Sequence, residues 1–160
     1  MKILATQQLR KADAYTIEHE PVSSVDLMER AAIQLFHAFI SLYPNPIRTV
    51  IFAGPGNNGG DGIALARMLA ENSYPLTLNI LDLGQGLSAD ASENVKRLPE
   101  LAWLSIHWIN EDEEFTIPES KDVVVDALFG SGLTRPLNGF PAQLVNQINS
   151  LSNKIIAIDI

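Results

Sequence analysis

The feature that most constrains this chain is an alternation, from residue 48 onward, of short apolar runs and segments with helical periodicity. The runs RTVIFAG, LTLNILDL, AWLSIHWI, DVVVDALF and KIIAIDI predict strands, and GDGIALARMLAENS, ADASENVKRLPE and PAQLVNQINSL predict helices. Strands that alternate with helices form parallel sheets through right-handed crossovers. Runs that are apolar throughout, such as DVVVDALF and KIIAIDI, indicate strands covered on both faces. The sequence therefore predicts an α/β fold, a doubly wound three-layer α/β/α sandwich with a mostly parallel sheet.

Two extra helices are predicted before the sheet. Residues 6–18 form a short polar helix pattern. Ser23 is a candidate N-cap with Asp26 three residues later, and apolar residues then recur at helical spacing as far as Leu42. Pro44 ends this second helix. Its apolar stripe is expected to face the core, with a dimer surface as the alternative for part of it.

The composition excludes several classes of partner. The net charge of −8 argues against nonspecific binding to nucleic acid or to an acidic membrane surface. The absence of cysteine excludes disulfides, thiolate metal sites and a cysteine nucleophile, and it is compatible with a reducing compartment. No apolar stretch has the length of a membrane span or of a signal-peptide core. We therefore expect a cytoplasmic protein with neither nucleic-acid nor membrane partners.

A first glycine loop, GPGNNGGDG (residues 54–62), joins the first strand to the next helix. Ligands of open α/β sheets bind outside the carboxyl ends of the strands, where glycines allow close approach and a helix N-terminus suits a phosphate. Three of these glycines match G-x-G-x-x-G, and Asp82 follows the next strand, as in NAD-dependent oxidoreductases. We expect Asp61 to lie in the first turn of the helix, where it would repel a pyrophosphate and disfavour that function.

A second glycine loop, DALFGSGLTRPLNG (residues 126–139), follows another apolar run. It begins with Asp126, and Asp159 ends the last apolar run. Because the carboxyl ends of parallel strands meet at one edge, Asp61, Asp126 and Asp159 should project from the same edge of the sheet. Carboxylates beside amide and carbonyl oxygens form either an all-oxygen site for a hard cation or a general acid or base with a shifted pKa.

The two loops, with IIAIDI near the end, resemble the NAD(P)HX epimerase family, also called the YjeF N-terminal domain. The segment ATQQLRKADAYTIEHEPVSSVDLMERAA is similar to the opening helices of that family, so the resemblance covers nearly the whole chain. It implies a Rossmann-like fold, a homodimer and a bound potassium ion. It also implies a nicotinamide-repair enzyme that interconverts the epimers of hydrated NADH or NADPH. A separate or fused dehydratase that uses ATP or ADP would then restore the cofactor.

The resemblance also implies roles for particular residues. Asn58 and Asp126 would bind potassium, and the family continues with a Pro-Ser-Gly turn whose serine completes the ion site. Asp126 is our first candidate for proton handling and Asp61 the second, because carboxylates can stabilise a cationic ring and move protons. The substrate contacts implied are Asn57, Asn58, Gly59, Gly60, Asp61, Gly130, Ser131, Gly132, Leu133, Thr134, Arg135, Pro136 and Asp159.

We expect residues 1–160 to form one such domain, truncated at its C-terminal end, because the sequence stops one residue after the last strand-end aspartate. The alternative function is a non-catalytic ligand-binding or scaffold module of the same fold. Intact glycine loops and strand-end aspartates favour catalysis over that alternative.

Overall fold

In the computed structural model, residues 5–111, 115 and 117–158 are described. They form a sheet of five strands, all parallel, in the order β3-β2-β1-β4-β5. The strands are β1 Thr49–Ala53, β2 Leu76–Leu81, β3 Leu104–Ile109, β4 Val123–Ala127 and β5 Lys154–Ala157. The helices are α1 Thr6–His19, α2 Ser24–Leu42, α3 Asn57–Glu71, α4 Ala89–Lys96 and α5 Gly139–Ser150. The predicted order of elements and the fold class are confirmed.

The core lies on both faces of the sheet. Successive residues of a strand point to opposite faces. Ile51 of β1 therefore packs with Leu69 of α3 in one apolar cluster, and Phe52 packs with Leu144 of α5 in another. Every residue of β1 is buried, since β1 has strand neighbours on both sides and helices on both faces. The predicted three-layer arrangement follows from these two clusters.

The prediction that KIIAIDI forms a buried strand is wrong for β5, although Ile158 directly after β5 is buried. Lys154, Ile155 and Ala157 of β5 are exposed, and Ile156 is only half-buried. The reason is position, since β5 lies at the edge of the sheet and pairs with β4 on one side. An apolar composition does not distinguish an edge strand from a central one.

The second N-terminal helix, α2, has the predicted start. The Ser23 hydroxyl accepts a hydrogen bond from the Asp26 backbone N–H at 3.2 Å, which caps the helix. Met28, Ala32 and Phe39 are buried, so the apolar stripe of α2 faces the core as expected. In the part of the chain that the structure describes, no helix is both long and apolar enough to cross a bilayer.

Candidate active site

The first glycine loop packs backbone directly against backbone. The Gly54 N–H donates to the Ala127 carbonyl oxygen at 3.0 Å, continuing the pairing of β1 with β4. A Cβ atom on Gly54 would lie 1.8 Å from the Leu128 carbonyl oxygen, and one on Gly59 would lie 1.8 Å from the Gly54 carbonyl oxygen. A side chain at Gly54 or Gly59 would therefore force the loop apart.

The second glycine loop lies against the first. A Cβ atom on Gly130 would come within 3.1–3.2 Å of the Asn58 side chain. The Nδ2 atom of Asn58 is buried and has no hydrogen-bond partner among the described residues. The structure thus brings the two loops together at the carboxyl ends of β1 and β4, where the strand order reverses and ligands of such sheets bind.

A cavity of about 590 Å³ opens at this edge of the sheet. This volume lies within the usual range of small-molecule sites, roughly 300–1,000 Å³. The two glycine loops, α1, α2 and α4 all contribute to its wall. The lining residues are Leu9, Asp13, Ile17, Ser24, Leu27, Met28, Ala31, Pro55, Gly56, Asn57, Asn58, Asp61, Asp90, Leu128, Phe129, Gly130, Ser131, Gly132 and Leu133.

The expected substrate residues divide into three groups. Those that line the cavity are Asn57, Asn58, Asp61, Gly130, Ser131, Gly132 and Leu133. Gly59 and Gly60 are buried in the first turn of α3. Thr134, Arg135 and Pro136 are exposed and are not among the lining residues. Asp159 lies outside the described residues.

Asp126 lies at the same edge but on the other face of the sheet. It is paired in register with Phe52, so its side chain points towards the α5 side. Its Oδ1 atom accepts a hydrogen bond from the Leu128 backbone N–H at 3.0 Å. Asp126 does not line the cavity, whereas Asp61 does.

The expectation that Asp61 lies in the first turn of the helix is wrong. Helix α3 begins at Asn57, three residues before the predicted start, so Asp61 is its fifth residue and no acidic side chain occupies the first turn. The N-cap is Gly56, which has no capping side chain. The first N–H groups of α3 therefore remain available to an anion, and the argument from Asp61 against a phosphate at this position does not hold.

The carboxyl group of Asp61 is buried, with 8% of the residue exposed. Desolvation by burial, followed by the negative charges of Asp13 and Asp90, raises the pKa of Asp61 from 3.8 to about 7. A carboxyl group with a pKa near neutrality can both donate and accept a proton at physiological pH. Such a group in a cavity marks a candidate catalytic site.

Two carboxylates at the cavity were not foreseen from the sequence. Asp13 comes from α1 and Asp90 from α4, where the Asp90 Oδ1 atom accepts a hydrogen bond from the Ser24 hydroxyl at 2.8 Å. Asp13 lies in the segment that is similar to the opening helices of the family, but no role was expected for it, and each of the two carboxylates reaches the site through the packing of its helix. In the sequence, each is an ordinary polar residue of a predicted helix, which gives no indication of a site.

The charge of the cavity is negative. Asp13, Asp61 and Asp90 line it, and none of the described lining residues is lysine, arginine or histidine. Leu27 and Met28 of α2 supply an apolar wall beside these carboxyl groups. The cavity is therefore suited to a flat organic group that carries or develops positive charge.

Comparison with known proteins gives the family. Residues 24–160 match the family described as YjeF-related protein N-terminus. A Limosilactobacillus reuteri protein named NAD(P)H-hydrate epimerase is 33% identical over 99% of this chain and 72% of its own length. A Rhodobacter capsulatus protein of the same name is 35% identical over 99% of this chain and 76% of its own length.

Two further comparisons concern a longer protein and a solved structure. The chain is 32% identical to a Thermofilum pendens protein named bifunctional NAD(P)H-hydrate repair enzyme Nnr, of which it covers 31%. A crystal structure of the yeast protein ynu0 superposes with a TM-score of 0.81 at 20% identity, over 99% of this chain and 69% of that one, and it supports the fold alone. On the family match and the similarity of the two epimerases over 99% of its residues, this chain belongs to the YjeF-related protein N-terminus family.

Proposed function

We propose that this chain is an NAD(P)H-hydrate epimerase, an isomerase that interconverts the epimers of hydrated NADH or NADPH in cofactor repair. The observation that carries the proposal is Asp61, a buried carboxyl group with a pKa of about 7 in the cavity between the two glycine loops. The L. reuteri and R. capsulatus relatives, both similar over 99% of this chain, support it through their names.

The proposed chemistry needs one group that gives and takes a proton. Protonated Asp61 donates to the hydroxyl oxygen on the nicotinamide ring, and the C–O bond breaks with release of water. The lone pair of the ring nitrogen delocalises the positive charge, which leaves a flat cation. Water then adds from either face and returns its proton to the Asp61 carboxylate. A pKa near the working pH keeps both forms of the acid populated.

The other acidic side chains of the cavity favour the cationic ring. Asp13 and Asp90 carry negative charge at the wall of the same cavity as Asp61. Fixed charges aimed at a developing charge stabilise a transition state with little reorganisation. The same two carboxylates also raise the pKa of Asp61, so they act both on the intermediate and on the proton donor.

The N-terminus of α3 is the proposed site for the diphosphate of the substrate. Gly56 and Asn57 are exposed at the rim of the cavity, and the first turn of α3 contains no acidic residue. Helix N-termini bind phosphates through free N–H groups and a partial positive charge. In this proposal the anionic part of the dinucleotide lies outside the acidic interior of the cavity.

Potassium remains part of the proposal, with Asn58 and Asp126 as its protein ligands. Because Asn58 lines the cavity and Asp126 points to the α5 side, the proposed ion would lie at the carboxyl ends of β1 and β4, where the two faces of the sheet meet. The amide of Asn58 fits this role, because its buried Nδ2 atom has no hydrogen-bond partner within the described part of the chain and a half-turn of the amide would put its oxygen there instead. Asp126 offers a carboxylate, of which Oδ1 already accepts from the Leu128 N–H. A bound potassium ion would supply positive charge that holds oxygen atoms of the two loops and orients the substrate.

The ion is tested by thermal unfolding in potassium chloride and lithium chloride at equal concentration. Potassium should raise the melting temperature above its value in lithium, since a ligand at a hundred times its Kd stabilises the folded state by about 2.7 kcal/mol. The Asn58→Ala variant should lose the difference. Equal melting temperatures of the wild type in the two salts would exclude the site.

The function is tested by adding the protein to one purified epimer of hydrated NADH (NADHX; NADPHX for hydrated NADPH). The conversion to the other epimer is followed by NMR or chromatography at a pH where spontaneous epimerisation is slow. The wild type should restore the equilibrium mixture, and Asp61→Asn should slow it by about 10²–10⁴-fold, the usual contribution of an acid–base group. Asp26→Asn, which removes an exposed carboxylate outside the cavity, serves as the control. A folded wild type that leaves the epimer unchanged would refute the enzyme and favour the binding-module alternative.

Two partners belong to the proposal. A dehydratase would act on the epimer produced here, either separate or fused as the name of the bifunctional T. pendens relative suggests. The homodimer stays a prediction, which sedimentation or light scattering of the purified chain would check.

A further inference from the structure

A second cavity, of about 420 Å³, opens at the carboxyl ends of β2 and β3. It is separate from the cavity that contains Asp61, and no part of the proposed chemistry uses it. Asp82 follows the last residue of β2, and Trp108 is the last residue but one of β3. The wall of the cavity is completed by Gly84, Gly86, Leu87, Ser92 and Val95.

The two cavities are neighbours on either side of α4. Asp90 of α4 lines the first cavity, and Ser92 and Val95 of the same helix line the second. The backbone also joins them, because the Ser88 N–H donates to the Pro55 carbonyl oxygen at 2.8 Å. A helix with its side chains is about 10–12 Å across, so one elongated ligand can reach around the start of α4 into both cavities.

The second cavity combines an aromatic ring with apolar side chains. Trp108 is 45% exposed, which is unusual for a large indole and leaves its ring accessible from the cavity. Leu87 and Val95 are half-buried beside it. A flat heteroaromatic ring would stack on Trp108 and cover apolar surface that is otherwise in contact with water.

The carboxylate of Asp82 is held in place at the end of β2. Its Oδ1 atom accepts a hydrogen bond from the Gly84 N–H at 2.8 Å, and Gly84 has a φ of +73°, which closes a tight turn. A carboxylate at the end of the second strand of a doubly wound sheet can accept hydrogen bonds from the hydroxyls of a ribose. The same carboxylate would repel a phosphate group on that ribose.

We infer that the second cavity binds the adenosine half of the dinucleotide, with its purine on Trp108 and its ribose hydroxyls on Asp82. The inference rests on the proposed function and extends it in one respect: the enzyme favours hydrated NADH over hydrated NADPH. The diphosphate at the N-terminus of α3 connects the two halves, and the hydrated nicotinamide lies in the first cavity near Asp61.

Binding is tested without catalysis by titrating the protein with AMP and following tryptophan fluorescence. The chain has two tryptophans, and Trp103 lies before the amino end of β3, where its Nε1–H donates to the Ala70 carbonyl oxygen. AMP should change the emission of the wild type and of Trp103→Phe but not that of Trp108→Leu. No change in the wild type, or a change that persists in Trp108→Leu, overturns the inference.

The role of Asp82 is tested with Asp82→Asn, which keeps an oxygen acceptor for the Gly84 N–H and therefore the turn. Loss of a charged hydrogen bond to ribose should weaken AMP binding by about tenfold, while 2′-AMP binding weakens less or improves. Glu100→Gln removes an exposed charge outside both cavities and should change neither ligand. Equal effects of Asp82→Asn on AMP and 2′-AMP would refute ribose recognition by Asp82.

The outcome also distinguishes this inference from the proposed function. With both correct, Asp82→Asn raises the ratio of the KM for hydrated NADH to the KM for hydrated NADPH. AMP binding at Trp108 in a protein that does not epimerise NADHX would retain the adenosine site and reject the isomerase. Epimerisation without any AMP binding would retain the isomerase and reject the adenosine site.

Discussion

Replacing Asp61 by asparagine should stabilise the protein, and by an amount that depends on pH. Burial, together with Asp13 and Asp90, raises the pKa of Asp61 from 3.8 in the unfolded chain to about 7 in the folded protein. Between these two values the unfolded chain has lost the proton and the folded chain has kept it, so the folded state loses stability as the pH rises. The penalty is small at pH 4, grows up to about pH 7 and is constant above it.

The size of the effect follows from the two pKa values. At about 1.4 kcal/mol per pH unit, the rise from 3.8 to about 7 corresponds to about 4 kcal/mol at pH 8 and to about 2 kcal/mol at pH 5. An asparagine side chain carries no ionisable proton and avoids the penalty. Asp61→Asn should therefore exceed the wild type in unfolding free energy by about 3 kcal/mol more at pH 8 than at pH 5.

Urea denaturation at the two pH values measures this difference. Asp26→Asn, in the exposed first turn of α2, is the matched control and should change stability by less than about 1 kcal/mol at either pH. A stability difference between Asp61→Asn and the wild type that is the same at pH 5 and pH 8 would refute the raised pKa. Destabilisation by Asp61→Asn at pH 8 would refute the view that the buried charge opposes folding.

Two further predictions concern the surroundings of Asp61. Asp13→Asn removes a negative charge that raises the pKa of Asp61, so the midpoint of the pH profile of kcat/KM should move to lower pH; an unmoved midpoint would separate Asp13 from the site. Gly59→Ala should lower the unfolding free energy by about 1–3 kcal/mol or more, because its Cβ would lie 1.8 Å from the Gly54 carbonyl oxygen. Gly56→Ala should lower it by no more than about 1 kcal/mol in urea denaturation, the cost of alanine at an N-cap, because apart from its chain neighbours no described atom lies within 4 Å of the new Cβ. Equal losses for both alanines would contradict the close packing of the loop.

Local rules were sufficient for much of the fold. The periodicity of apolar residues located all five strands and the helices between them, and the Ser23 cap set the start of α2. The start of α3 was missed because asparagine and glycine are poor helix formers. Residues 57–60 are nevertheless helical, because their glycines allow close contacts of Gly59 with Gly54 and of Gly60 with Met28. Those contacts depend on the tertiary structure.

Only the part of the candidate site that the two glycine loops form was predicted from the sequence. The glycine loops are sequence motifs whose backbone geometry follows from the residue type, so their meeting could be expected. Asp126 was the first candidate for proton handling, and its position outside the cavity could not be decided in advance, because which sheet face a strand-end residue occupies depends on register. Asp13 and Asp90 reach the cavity through helix packing, which no local pattern records.

The close fit of the first glycine loop against the end of β4 affects the entropy that is lost when a ligand binds. Its shape is imposed by contacts within the protein, such as Gly54 against Leu128 and Gly59 against Gly54. The N–H dipoles at the start of α3 are therefore already oriented before any substrate arrives, and little conformational entropy remains to be lost on association. Affinity at this end of the site should come from a preformed cradle and not from a loop that closes over its ligand.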